Sequence, residues 1–175
     1  MYQWTEEQEM MRGAVRQFID KEIRPRIDEF EHGDTPPYDV LRKMYKDFGI
    51  DVVSRDRHQR QIEFERSVEA AIAEGKEPPE NAKRDGDGGT AALTMIPIIE
   101  LCKVCPGMVT AMGVSVGLTS AAIMSKGTID QKERWVGDLL TMDKIGAWAI
   151  TEPNSGSDAF GSMKSTARRD GNEYV

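Results

Sequence analysis

Trp148-Ala149-Ile150-Thr151-Glu152-Pro153-Asn154-Ser155-Gly156-Ser157-Asp158 is the stretch on which the reading of this chain turns. The short apolar run from Ile145 to Ile150 reads as a buried strand leading into it. Pro153 and Gly156 predict a tight loop that leaves backbone N–H groups free of strand partners, and Thr151, Ser155 and Ser157 add hydroxyls. Such a loop can hold a polar, anionic or heteroaromatic ligand. From these residues alone it can equally be an ordinary strand-to-strand connection with an Asx or Ser turn. Downstream, Lys164 to Arg169 predicts a second strand, and Asp170-Gly171 a turn into a third that has barely begun at Val175. A β-domain is therefore expected from 145, incomplete at 175.

Upstream the period is helical. Thr128 and Gln131 form a capping-box pattern, opening a helix whose Trp135, Val136, Leu139 and Leu140 face inward. Before it, between Gly88 and Gly127, only Glu100, Lys103 and Lys126 are charged. Val104 to Ser125 carries no charge and has Gly113 and Gly117 at GxxxG spacing, which raises a membrane span. Its Pro106, Gly107, Thr110, Ser115, Thr119 and Ser120 favour a tightly packed, buried bundle helix and no membrane span. From Arg55 to Asp87 nearly half the residues are charged. This predicts an exposed amphipathic helix ending near Gly75, seated by Phe64, Val68, Ala71 and Ile72, then a connector with Pro78, Pro79, Gly86, Gly88 and Gly89. At the start, Thr5 and Gln8 make another capping box, and Met11, Val15, Phe18, Ile19 and Ile23 share one helix face as far as Pro25, with Ile27 and Phe30 continuing it. A second helix opens near Pro36 and Pro37, carries Leu41, Met44, Tyr45 and Phe48, and stops at Gly49.

Composition excludes several classes. Hydrophobic residues are 39% and charged residues 30% of 175, so the chain can build a core. A net charge of -7 offers no basic footprint for nucleic-acid phosphates. Two cysteines do not make a disulfide scaffold, and the acidic Met1 to Glu9 lacks the basic-then-apolar pattern of a signal peptide, so a cytoplasmic location is expected. Cys102-Lys103-Val104-Cys105 is a lone CxxC without further zinc ligands, read as buried packing residues, and no metal site is expected. Gly113 to Gly117 spells GxSxG, but no histidine follows His58, so a serine hydrolase is set aside. His32 and His58 read as solvated surface groups.

Thr151-Glu152-Pro153-x-x-Gly156-Ser157-Asp158 resembles the signature loop of the acyl-CoA dehydrogenase family of flavoproteins. Gly127-Thr128-x-x-Gln131-Lys132 is similar to the helix leading to that loop, and Thr5-Glu6-Glu7-Gln8 with Val15-Arg16-x-Phe18, Glu22-Ile23 and Pro25 looks like the family's first helix. The resemblance spans Met1 to Val53 and Asp85 to Val175. It implies a mainly α fold: an N-terminal helical bundle over 1–144, with a charged insertion at about 54–84, followed by the first strands of a β-barrel-like middle domain over 145–175. It also implies FAD as cofactor, an acyl-CoA thioester dehydrogenated to a trans-2-enoyl-CoA, a role in lipid metabolism, an electron-transfer flavoprotein as electron acceptor, and a homo- or hetero-oligomer. Carried across by position, Trp148, Ile150, Thr151, Gly156 and Ser157 bind the cofactor, Ser157 also touches substrate, and Val114 and Leu118 line the far end of the acyl pocket.

The family's base glutamate has no counterpart here, and by the same resemblance Glu152 belongs to the loop and not to proton abstraction. The chain is therefore expected to be the N-terminal portion of a larger flavoenzyme, inactive by itself. Two other readings stand beside it, a noncatalytic helical scaffold or interaction protein derived from this fold, and a membrane-anchored helical protein using Val104 to Ser125. Acyl-chain length, and dehydrogenase against acyl-CoA oxidase or nitroalkane oxidase chemistry, are left open.

Overall fold

The Gln8 N–H donates to the Thr5 hydroxyl at 3.3 Å while the Thr5 N–H donates to the Gln8 side chain at 3.1 Å, so the anticipated capping box closes and α1 (Glu6–Phe18) begins where the sequence places it. The computed structural model describes residues 3–80 and 88–175. Pro25 does not end the helical rail. It lacks an N–H and its ring crowds the carbonyl four residues back, and the backbone answers by widening into a π-helical turn over Ile19–Ile23 and tightening at Arg24–Arg26 before α2 (Ile27–His32). Val15, Phe18, Ile19 and Ile23 stay buried through this adjustment, with Ile27 and Phe30 packed beside them.

α3 (Tyr38–Asp47) buries Val40, Leu41, Met44 and Tyr45. Gly49 turns the chain at φ 65°, a left-handed conformation that suits glycine. α4 (Ile50–Ala73) follows at once, so Gly49 both stops one helix and starts the next. Burial without a charged partner pushes the Tyr45 phenol up to about 12.

α5 (Gly88–Cys102) packs on α1, and Gly88 and Gly89, expected in a connector, open this helix instead. Gly86 of that connector lies outside the described residues. α6 (Pro106–Gly113), a π-helical turn (Val114–Thr119) and α7 (Ser120–Lys126) form one continuous helix. α8 (Ile129–Leu140) opens on the second capping box, between Thr128 and Gln131. Last come the short α9 (Ala159–Ser162) and one hairpin, β1 (Arg169–Asp170) and β2 (Glu173–Tyr174).

The main core joins α1, α3, α5 and α6 through Val15, Phe18, Ile23, Leu41, Met44, Ile96, Leu101, Met108 and Met112, with the Phe18 and Phe48 rings edge-on at 5.9 Å. The fold is mainly α, with a single short strand pair, as the sequence suggests.

Several local expectations change. Ile145–Ile150 is neither a strand nor buried, because the described residues offer it no partner strand. The second strand expected over Lys164 to Arg169 is only β1, with Lys164 to Arg168 outside it, and the hairpin pairs Arg169 with Tyr174 and Asp170 with Glu173, so its two-residue loop is Gly171-Asn172 and not Asp170-Gly171. Gly171 stands first in that loop at φ 62°, as a tight hairpin requires. Cys102 faces outward at the end of α5, and only Cys105 is a packing residue.

His58 departs from its expected place as well. It is half-buried between α4 and α8, where its Cδ2 would lie 3.5 Å from a Cβ at Gly137. Its Nε2 has no hydrogen-bond partner among the described residues, and desolvation holds its pKa below the ordinary 6.5. His32 is exposed, as expected.

The charged helix is also seated differently from the reading that relied on Phe64, Val68, Ala71 and Ile72. Ile62 is the buried apolar residue of α4, Phe64, Val68 and Ala71 are half-buried, and Ile72 is exposed. Ion pairs from α4 to α8 and its C-terminal turn do the rest: Arg55 to Asp138 and Asp143, Arg66 to Glu133, and Glu65 to Lys132.

The helix Pro106–Lys126 is long and apolar enough to cross a membrane. It is not buried all round, in contrast to the expectation of a fully packed helix. Met108, Met112, Ser115 and Ser120 point into the bundle, and Gly117, Leu118 and Ala121 are exposed.

Candidate functional site

α8 ends in an unusual stop. Met142 is fully buried yet takes φ 61°, a left-handed conformation that costs a non-glycine residue roughly 1–3 kcal/mol. Its side chain fills the main core, and the Arg42 Nε donates to its carbonyl oxygen at 2.7 Å, so packing and a charged donor hold the strained turn. From there the chain passes across the π-helical turn. The Gly146 N–H donates to the Ser115 Oγ at 2.9 Å, and the Ser115 hydroxyl donates to the Gly146 carbonyl at 3.3 Å. A Cβ at Gly146 would stand 2.6 Å from the Thr119 side chain, so the close approach needs glycine.

Ser115 and Gly146 thus dock the signature segment on the helix that carries Val114 and Leu118. Neither was singled out from sequence as a site residue. The signals were there, a serine enclosed by two glycines and a lone glycine within an apolar run, which often marks a close backbone approach.

Beyond Trp148 the loop closes on itself. The Glu152 N–H donates to the Ser155 carbonyl at 2.8 Å and the Ser155 N–H returns to the Glu152 carbonyl at 3.1 Å, making Pro153-Asn154 the tip of a tight turn. The Glu152 carboxylate accepts the backbone N–H groups of Lys164 and Ser165, each at 2.8 Å. These bonds, first that from Lys164, hold its carboxyl below the ordinary 4.5. Hydrogen bonding from Ser162 likewise lowers Asp158. Glu152, Pro153, Asn154, Lys164 and Ser165 line a shallow cavity of about 330 Å³.

Among the residues singled out from sequence, Thr151, Gly156 and Ser157 are exposed, Trp148 is 41% exposed, Ile150 and Val114 are half-buried, and Leu118 is 52% exposed. The backbone amides of Glu152 and Ser155 are consumed inside the turn. The loop offers a ligand the Thr151 and Ser157 hydroxyls, which make no hydrogen bond among the described residues, and the partly exposed Trp148 indole. That donor set suits a planar heteroaromatic ring with a polar edge and a phosphate. The described residues hold no group of three or more His, Cys, Asp and Glu able to bind a metal ion.

Comparison with known proteins bears on the helical part of the chain. The family described as acyl-CoA dehydrogenase, N-terminal domain, matches residues 5–54 and 56–143, so the charged stretch lies almost wholly within the matched spans. The short-chain-specific acyl-CoA dehydrogenase of Clostridium acetobutylicum is 28% identical over 173 residues, 98% of this chain and 38% of that protein. The acryloyl-CoA reductase (NADH) of Anaerotignum propionicum is 30% identical over 173 residues, 98% of this chain and 37% of its own. The fold is similar to glutaryl-coenzyme A dehydrogenase solved with glutaryl-CoA, at a TM-score of 0.66 and 22% identity, over 99% of this chain and 38% of that one. The chain thus spans well under half the length of the relatives it matches. Matched through most of its length by the family's N-terminal helical domain, the chain belongs to the acyl-CoA dehydrogenase family.

Proposed function

We propose that these residues form the N-terminal part of a flavin-dependent acyl-CoA dehydrogenase that converts an acyl-CoA thioester to its trans-2-enoyl-CoA. The observation that carries this reading is the docked loop, with the Thr151 and Ser157 hydroxyls and the Trp148 indole left open beside a turn closed by the Glu152 and Ser155 amides. FAD held there would supply the acceptor for the hydride leaving the acyl β-carbon.

The residues of this chain bind and orient. The Thr151 hydroxyl would donate to the polar edge of the ring system, with the Trp148 indole beside it. The Ser157 side chain would reach both a cofactor phosphate and the substrate, its single hydroxyl proton going to one of them, while Ile150 and Gly156 shape the backbone between. Val114 and the exposed Leu118 give an apolar wall for the acyl chain. The base that removes the α-proton is assigned to none of these 175 residues. With Glu152 committed to two backbone amides, it is poorly placed for that role. We further propose a cytoplasmic oligomer that passes its electrons to an electron-transfer flavoprotein.

Thr151→Ala and Ser157→Ala in the full-length protein test the site. Each leaves a desolvated polar group without its partner, which costs on the order of 1–3 kcal/mol of binding. FAD or acyl-CoA affinity should weaken roughly 5- to 150-fold with the melting temperature nearly unchanged. Unchanged affinity for both ligands in both variants would remove this assignment.

A further inference from the structure

Glu152 closes the loop twice. Through its backbone it pairs with Ser155 across the Pro153-Asn154 tip, and through its side chain it captures the adjacent N–H groups of Lys164 and Ser165, twelve and thirteen residues away. Thr151 precedes the clasp and Ser157 lies inside it. α9 fills the space between, started by the Asp158 carbonyl, which accepts the Gly161 N–H at 2.8 Å and the Ser162 N–H at 3.0 Å.

Two parallel N–H donors need two acceptor atoms. A carboxylate offers both oxygens, whereas an amide offers one oxygen and turns an NH2 donor toward the second N–H. The loop is otherwise exposed from Ser157 to Asp158 and from Phe160 to Gly161, so apolar burial does little to fix its shape.

We infer that Glu152 is a positioning residue, its carboxylate tying Lys164 and Ser165 to the loop's tip so that Thr151 and Ser157 are presented to flavin and substrate as one preformed unit. This rests on the site reading above and adds what holds that site in shape before a ligand arrives. A preorganised loop pays no ordering cost at binding, so loosening it weakens affinity although Glu152 touches no ligand.

The test has two arms. In the 175-residue chain, Glu152→Gln should speed amide exchange at Lys164 and Ser165 by roughly tenfold or more while Arg168 and Val175, paired in the hairpin, are unchanged. Unchanged exchange at Lys164 and Ser165 would overturn the clasp.

In the full-length protein, Glu152→Gln should weaken FAD roughly tenfold and alter the bound-flavin absorbance spectrum. Added to the Thr151→Ala and Ser157→Ala double variant, it should deepen the loss almost not at all, because it acts through those two hydroxyls. Additive losses with an unaltered spectrum would mean a purely structural role and overturn the inference. If Thr151→Ala weakens binding and Glu152→Gln does not, positioning falls and the site stands. If neither Thr151→Ala nor Ser157→Ala affects either ligand, the site reading falls and takes the positioning role with it.

Discussion

α1 meets α5, and α4 meets α8, through oppositely charged side chains, yet the two contacts are built on different physics. In the first, Glu100 is a single carboxylate, 3% exposed, that accepts from the Arg12 and Arg16 guanidinium groups at 3.0–3.2 Å and from the Lys103 Nζ at 2.8 Å. Burial pushes its pKa up, but the Arg16, Lys103 and Arg12 donors outweigh this and hold it at about 2. In the second, Arg66 and Glu133 meet at 2.6 Å with 50% and 57% of their side chains in solvent. Water screens the Arg66–Glu133 pair on both sides, whereas at the inner cluster it reaches Arg16 and Lys103 but hardly the Glu100 carboxylate. Distance is nearly the same in both, so burial decides which contact the fold depends on.

The largest test removes the inner carboxylate. Glu100→Ala leaves Arg12, 15% exposed, at the core boundary with only the half-exposed Glu9 as counter-charge. Breaking a buried pair from one side costs about 3–5 kcal/mol, so chemical denaturation should show a loss of that order. A loss below about 1 kcal/mol would place Glu100 with the surface pairs and erase the contrast.

Next in size is Ile62→Ala. It leaves every α4–α8 ion pair in place and removes the 4%-exposed side chain between them. A loss of about 2 kcal/mol or more is expected for a buried isoleucine. Little change would mean that the charges alone hold α4 down.

Acid should separate the two contacts without mutation. The folded His58 pKa lies below its ordinary 6.5, so the unfolded chain binds its proton first. Stability from neutral His58 is complete above about pH 6.5 and is lost as pH falls through the folded value. Arg55, Glu65, Lys132 and Glu133 face this group from α4 and α8. Glu100 has the same sign in a lower window, contributing fully above 4.5 and losing its contribution as pH falls toward about 2. Amide exchange measured down a pH series should show α4 loosening before α1 and α5. Simultaneous loosening would contradict the ordering.

The smallest effect is Arg66→Ala, which should cost less than about 0.5 kcal/mol, because its pair is open to water and salt. A larger cost would show that the α4–α8 charges act as a network.

The helices were legible from sequence because their signals are local. A threonine three residues before a glutamine, apolar residues at i, i+3 and i+4, and a glycine at a helix stop each act within one turn, and the α1, α3 and α8 boundaries follow from them. The signature loop was legible in its turn residues for the same reason. The Ile145–Ile150 strand was misread because a strand exists only with a partner, and no local pattern supplies one.

What tertiary structure alone decided is which polar groups meet. Glu100 is one of three charges in an apolar stretch, and nothing near it in sequence shows that residues 12 and 16 will neutralise it. Ser115 finds Gly146 across 31 residues, and Glu152 finds Lys164 and Ser165 across 12 and 13. His58 looked solvated among its charged neighbours until α8 covered it. Periodicity along the chain names the face a helix buries. The desolvation of a charge, and the partner that compensates it, depend on what a second element brings to that face, and only the assembled fold sets that.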